Sequence, residues 1–258
     1  MWFPARRVTK WEDLDQIREI YIPQLQSILE DKIYVGSKIR HIIFWNAMRR
    51  GERLEQTRPD DPSHTPTANF AAFPHIDTDI NAYSDATHLV DLLEKNCLES
   101  FDREDVLDSL AKGRRFCIAN AWKNTAHHPV TRAPLALFST RYKNGWAFPD
   151  SKPDMNISKW YVYSNMTMGE ILFFCQYDRD VRLPSDVWHC ALTGHGTGSR
   201  ISFDLRMFVI FDEVVPRERD RFSEDRMRCL LDREGSGCFC SEQEERCRAD
   251  ANEYNNDH

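Results

Sequence analysis

The sequence predicts a mainly β fold, a closed or double-sheet barrel with helices packed on its outside. Three observations predict it. Helical patterning is confined to the first part of the chain. From residue 114 onward, apolar runs of strand length follow one another. Turn-rich segments such as Asn144-Gly145, Pro149-Asp150 and 194–198 separate those runs. Helices first and a strand block after is the order expected when helices cover a barrel.

Each element has its own warrant. Residues 11–31 carry Leu14, Ile17, Ile20, Tyr21, Leu25, Ile28 and Leu29 near helical spacing, with Pro23 expected to kink the helix. Residues 38–45, with Ile39, Ile42, Ile43 and Phe44, read as a strand. Residues 49–67 are polar, contain three prolines and read as a loop. A strand is expected over 69–79. Two helices, 85–95 and 102–112, each open on an acidic or polar cap. Strands follow over 115–122, 135–139, 159–164, 170–177, 187–192 and 199–211, which makes about eight with the two earlier ones. After Val215 charge dominates: 217–233 reads as a surface helix and 241–258 as frayed or disordered. The expected organisation is one domain over 1–215, helical to about residue 67 with a barrel core over 68–215. A charged, Cys-containing extension follows over 216–258.

Composition narrows the function classes. The 258 residues are 41% hydrophobic and 12% aromatic, enough for one sizeable core. A formal net charge of −7 argues against a phosphate-binding surface, so nucleic acid is not an expected partner. No apolar run approaches the ~18 residues of a membrane span, and the start lacks the apolar stretch of a signal peptide. The expectation is a cytoplasmic protein with a small-molecule substrate and no membrane partner; a homodimer is left open. Of the eight cysteines, Cys97, Cys117, Cys175 and Cys190 stand singly in apolar or helical text, as reduced core cysteines do. Cys229, Cys238, Cys240 and Cys247 cluster near the end without the paired C-x-x-C spacing of a structural zinc site.

The chemistry is carried by His75-Ile76-Asp77, by His189 far downstream, and by Arg200-Ile201-Ser202 shortly after it. An H-x-D alone proves little, since a chain with 9 His and 41 acids holds about one such match by chance. On a strand, however, His75 and Asp77 point to the same face. Two imidazoles and one carboxylate hold one face of an octahedral Fe(II) and leave positions open for a co-substrate and O₂. An Arg with a nearby hydroxyl holds a dicarboxylate by a two-pronged, charge-assisted bond. The pattern therefore describes a non-haem Fe(II) oxygenase that uses 2-oxoglutarate. In 199–211, Ile201, Phe203, Leu205 and Met207 share one face, while Arg200, Ser202, Asp204 and Arg206 share the other. Arg200 with Ser202 ranks first as the co-substrate anchor, and Arg206 stays open as the alternative. Asn120, Trp122 and Tyr161 are candidate pocket residues. Residues 141–158 are too long for a tight hairpin and read as a binding loop, in which Trp146 and Phe148 are expected to help enclose the substrate.

Phe73-Pro74-His75-Ile76-Asp77, Asn120-Ala121-Trp122-Lys123, Trp160-Tyr161-Val162-Tyr163-Ser164-Asn165-Met166, Glu170-Ile171-Leu172-Phe173-Phe174, Tyr177-Asp178 and Arg200-Ile201-Ser202-Phe203-Asp204-Leu205-Arg206 occur here in that order. In this the chain resembles the fungal hydroxylase/desaturase family called AsaB-like or CmcJ/NvfI-like, over about residues 11–211. The resemblance implies a double-stranded β-helix, or jelly roll, with Fe(II) on His75, Asp77 and His189 and 2-oxoglutarate as co-substrate. It also implies oxidation of a secondary metabolite by hydroxylation, desaturation, rearrangement or endoperoxide formation. The chain departs from the family at Lys123-Asn124, Cys190 and Ile201, and none of these removes a ligand. Two other readings are a metal-dependent cupin isomerase or cyclase, and a catalytically silent jelly-roll binding protein.

Overall fold

The computed structural model describes residues 7–51, 63–77, 86–139, 141–142, 145–146, 160–180, 182–183, 187–193, 196–220 and 222. A helical run opens the described chain. It comprises α1 (Leu14–Gln16) and α2 (Ile22–Ile28), joined by a π-helical turn over Ile17–Tyr21 and followed by another over Leu29–Ile33. Asp13 caps the run, its carboxylate accepting from the amides of Asp15 and Gln16. Pro23 lies in the first turn of α2, just past the π-helical turn. A proline lacks an amide and crowds the carbonyl four residues back, and a wider turn takes up that mismatch where the sequence predicted a kink.

Among the described residues ten strands follow: β1 (Ile39–Gly51), β2 (Thr67–Ala68), β3 (Arg114–Asn124), β4 (Leu135–Ser139), β5 (Arg141–Tyr142), β6 (Gly145–Trp146), β7 (Trp160–Val162), β8 (Ile171–Asp178), β9 (Val187–Ala191) and β10 (Ile201–Val214). Two helices, α3 (Ala86–Asn96) and α4 (Arg103–Ala111), lie between β2 and β3. The larger sheet has the order β2-β1-β10-β3-β8 and the smaller β7-β4-β9; β5 and β6 pair with each other. A mainly β fold of two sheets with flanking helices is thus what the patterning predicted.

Three cores hold it together. Ile17, Tyr21, Leu25 and Leu29 of the helical run pack on one face of the larger sheet, against Ala119, Phe203, Leu205 and Met207. On the opposite face, Leu89, Leu93, Val106 and Leu110 of α3 and α4 cover Ile43, Trp45, Ile118, Phe208 and Ile210. Trp122 and Phe174 of the larger sheet meet Leu135 of the smaller in the third core. The alternation read in β10 is realised: Phe203, Leu205 and Met207 face the helical run, and Ser202 and Asp204 are buried on the other side.

Several expectations need correction. The strand predicted over 69–79 is no strand in its described part, 69–77; it meets β9 through an isolated antiparallel bridge between His75 and His189 and a bond from the Ala191 amide to the Ala71 carbonyl. Phe73-Pro74 explains this in part, because a proline offers no amide to a ladder. The first predicted strand extends well past residue 45, to Gly51. The loop expected over 141–158 begins instead with the β5–β6 hairpin, Arg141 opposite Trp146. Of the helix predicted over 217–233, the described part is one 3₁₀ turn, Arg217–Arg219. Apart from Asp220 and Phe222, the chain beyond that turn, with its four cysteines, lies outside the described residues, as do Phe148 and the Trp146 side chain. Cys97, Cys117, Cys175 and Cys190 are free thiols. Among the described residues no helix is long and apolar enough to cross a membrane.

Candidate metal centre

His75 and His189 are brought together by two backbone bonds: the His75 amide donates to the His189 carbonyl at 3.1 Å and the His189 amide to the His75 carbonyl at 3.0 Å. Their rings lie 4.3 Å apart between centroids. Asp77, two residues on, turns its carboxylate between them. Its two oxygens lie 3.5 Å from His75 Nε2 and 3.5 Å from His189 Nε2 respectively. One ligand atom from each of the three residues falls within 4.8 Å of the others. His75 Nδ1 is 2.9 Å from the Phe73 carbonyl, which fixes Nδ1 as the protonated nitrogen and leaves the Nε2 lone pair toward Asp77.

Asp77 is held from three directions. Asn120 Nδ2 donates to it at 2.9 Å, Gln176 Nε2 at 3.0 Å, and Arg206 Nη2 lies 2.6 Å away. The Gln176 side-chain oxygen also accepts from the Asp77 amide at 3.1 Å, so one glutamine clamps both the backbone and the carboxylate. Burial opposes ionisation of Asp77, but His75, Arg206, His189 and Asn120 outweigh it and hold the carboxyl well below its usual range. Burial, with the charges of His75 and Arg206, pushes His189 down to about 4, so its imidazole is neutral at pH 7 and free to act as a ligand. For His75, burial works against the charged form, yet its bonds to Asp77 and Phe73 raise its pKa.

β8 bulges at Gln176. Between Ile118/Tyr177 and Ala119/Cys175, β8 carries one residue more than β3, and Gln176 is that residue. Cys175 packs beneath the helical run, while Gln176 lies on the other side of the sheet with Leu172 and Phe174, and the extra residue puts Tyr177 on that side as well. Sequence reading did not single out Gln176, although alternation with Phe174 places it on the cavity side.

Arg200 is 3% exposed. Its Nε donates to Ser202 Oγ at 3.1 Å and its Nη1 to the Ala133 carbonyl, and its guanidinium lies 4.6 Å from the Phe70 ring and 4.8 Å from that of Trp122. Among the described residues no carboxylate pairs with it. Burial and the charge of Arg50 pull its pKa down to about 9. Asp204 is pushed up to about 6 by burial and by Asp77. One cavity joins Arg200, Arg50 and Asp204 to His75 and His189, with Trp122, Leu135 and Phe174 among its walls.

The structure places the remaining sequence candidates as follows. Arg206 is committed to Asp77. Asn120 also serves Asp77, where the sequence offered it only as a pocket residue. Trp122 stacks on Arg200. Tyr161 shares a cross-strand row with Leu137 and His189 but is 65% exposed, which puts it on the rim. A second group, Cys117, Cys175 and Asp178, is also compact enough for an ion. There Asp178 is bound to Arg115 at 2.8 Å and Cys175 Sγ donates to the Tyr177 carbonyl at 3.2 Å, so its polar atoms are already used within the core.

A two-sheet β fold with two histidines and a carboxylate gathered between its sheets defines the class: a jelly-roll protein with a candidate metal centre. A family model described as "Oxidoreductase/YMDC permease-like domain" matches residues 3–148, more than half of the chain, and the chain belongs to that family. A solved structure of the "iron and alpha-ketoglutarate-dependent endoperoxidase NvfI" is similar over 78% of this chain and 76% of that one, with a TM-score of 0.54 and 20% identity. The same enzyme in a different conformation gives a TM-score of 0.47 at 21% identity, covering 77% of this chain and 76% of that one. The first of these likenesses shows the double-stranded β-helix fold that the CmcJ/NvfI-like resemblance implied. No curated protein matches the sequence significantly.

Proposed function

We propose that the chain is an Fe(II)- and 2-oxoglutarate-dependent oxygenase acting on a C–H bond of a small molecule, a secondary metabolite by family resemblance. The observation that carries the reading is one cavity holding both halves of such a site. At one end stand two imidazoles and a carboxylate within reach of a single ion; at the other, a buried arginine that no carboxylate pairs with among the described residues. The donor set suits iron, because it combines nitrogen and carboxylate ligands on one side and leaves the cavity side free. The description of NvfI as iron- and alpha-ketoglutarate-dependent supports the same chemistry.

His75, His189 and Asp77 would hold the metal. Bound iron with its co-substrate supplies O₂ activation, which oxidises the C–H bond and yields succinate and CO₂. Asn120, Gln176 and Arg206 orient the Asp77 carboxylate, and the Phe73 carbonyl fixes the His75 tautomer. Arg200 and Ser202 bind the far carboxylate of the co-substrate. Arg206 is the weaker anchor, since Asp77 already occupies it. Leu135, Phe174 and Trp122 keep the cavity wall apolar and exclude water. Trp146 and Phe148 remain candidates to cover the substrate, and Tyr161 a candidate for the rim. Succinate formation dependent on added Fe(II) and 2-oxoglutarate tests the proposal, and its absence with every substrate offered would turn the reading toward an isomerase or a binding protein.

A further inference from the structure

We propose that Arg50 and Arg200 jointly hold one carboxylate group in the cavity beside the His75–Asp77–His189 cluster. The oxygenase reading bears only on where that carboxylate comes from. The placement of Arg50 is a consequence of strand register. Trp45 pairs with Arg206 and Met48 with Asp204, so β1 carries one residue more than β10 between these pairs. Asn46, with φ 50°, sits in that interval. Before the bulge, Ile43 and Trp45 face the α3–α4 side; after it, Ala47 packs against the helical run on the opposite side. The extra residue therefore reverses the alternation for the rest of β1. Without it, Arg50 would point out of the cavity. With it, Arg50 stands directly opposite Ser202, the residue that accepts from Arg200.

Both guanidinium groups line the cavity, and both have only neutral partners among the described residues. Arg50 Nη1 donates to the Asn69 carbonyl at 3.1 Å; Arg200 has Ser202 and the Ala133 carbonyl. Two like charges in one poorly solvated space repel. A carboxylate between them relieves the repulsion and gives each fork an oxygen to bind. The cavity also holds Asp204, to which Asn120 donates at 3.4 Å; one carboxylate against two guanidinium groups leaves one positive charge for a bound carboxylate to balance. The carboxylate has two sources: the far end of a dicarboxylate co-substrate, or an acid group on the primary substrate.

The test uses the full chain with Mn(II) in the metal site under anaerobic conditions, with binding read by tryptophan fluorescence. Ligands are 2-oxoglutarate and 2-oxopentanoate, which lacks the far carboxylate. Arg50→Gln should weaken 2-oxoglutarate about ten- to a hundredfold and leave 2-oxopentanoate unchanged, with Arg50→Lys between the two. A second arm titrates benzoate into protein saturated with Mn(II) and 2-oxoglutarate. Loss of benzoate binding in Arg50→Gln, with 2-oxoglutarate untouched, assigns the carboxylate to the primary substrate. Wild-type protein that binds the two oxo acids equally defeats the co-substrate assignment of the oxygenase reading, and the benzoate arm then decides the proposal alone. Unchanged binding of every ligand in Arg50→Gln and Arg50→Lys, at wild-type melting temperature, overturns it.

Discussion

Asp77 is the residue on which most of the site converges, since two imidazoles, an amide from each of two side chains and an arginine all meet its carboxylate. Replacing it, or His75, by alanine should leave the fold intact and sharply reduce Fe(II) uptake, measured by metal analysis after anaerobic loading. Gln176→Ala removes only the clamp. Partners that orient metal ligands are typically worth ten- to a hundredfold in metal affinity, and Gln176→Ala should fall by about that factor in a competitive chelator titration. Affinity equal to wild type would show that Gln176 merely fills space. Arg200→Lys keeps the charge and loses the fork, so 2-oxoglutarate binding should weaken about ten- to a hundredfold while metal content stays normal. If Arg206→Lys gave that result and Arg200→Lys did not, the anchor would be Arg206.

At the scale of elements, a bulge in β1 decides what the cavity contains, since it brings Arg50 to face Ser202. It is not legible in the sequence, because a bulge conserves composition and shifts only the parity of the side chains. Gln176 carries no motif of its own, though alternation with Phe174 puts it on the side of Asp77. The parts that were legible obey simple periodicity or local chemistry: His75 with Asp77 one residue between, and the charged face of β10. The turn into β10, which the sequence predicted, also shapes the site. Gly196 adopts φ +74°, and a Cβ there would lie 1.6 Å from the Thr131 carbonyl oxygen. That approach holds the turn against the segment whose Ala133 carbonyl accepts from Arg200. Gly196→Ala should therefore displace the turn and weaken 2-oxoglutarate binding, with metal affinity nearly unchanged. Wild-type co-substrate affinity in that variant would separate the turn from the site.

For the whole molecule, order along the chain was the readable signal: helices, then strands, then a charged end. It predicted a β core with helices outside because each helix carries one apolar stripe that must be buried. It did not show the 69–77 segment as a bridge instead of a strand, since an isolated bridge and a full ladder leave the same residues in the sequence. Leu25, fully buried beneath the larger sheet, belongs to the scaffold and not to the cavity. Leu25→Ala should cost about 2–5 kcal/mol in denaturant unfolding and leave the folded protein's metal affinity unaltered. The claim that joins these scales is that one cavity binds Fe(II) and 2-oxoglutarate together. The direct measurement is an anaerobic optical titration of the purified protein with Fe(II) and then with 2-oxoglutarate. A visible metal-to-ligand charge-transfer band that saturates at one equivalent of each, and is absent in Asp77→Ala, is the predicted result. A wild-type protein that takes up Fe(II) but never develops the band, at any concentration of 2-oxoglutarate, would contradict it.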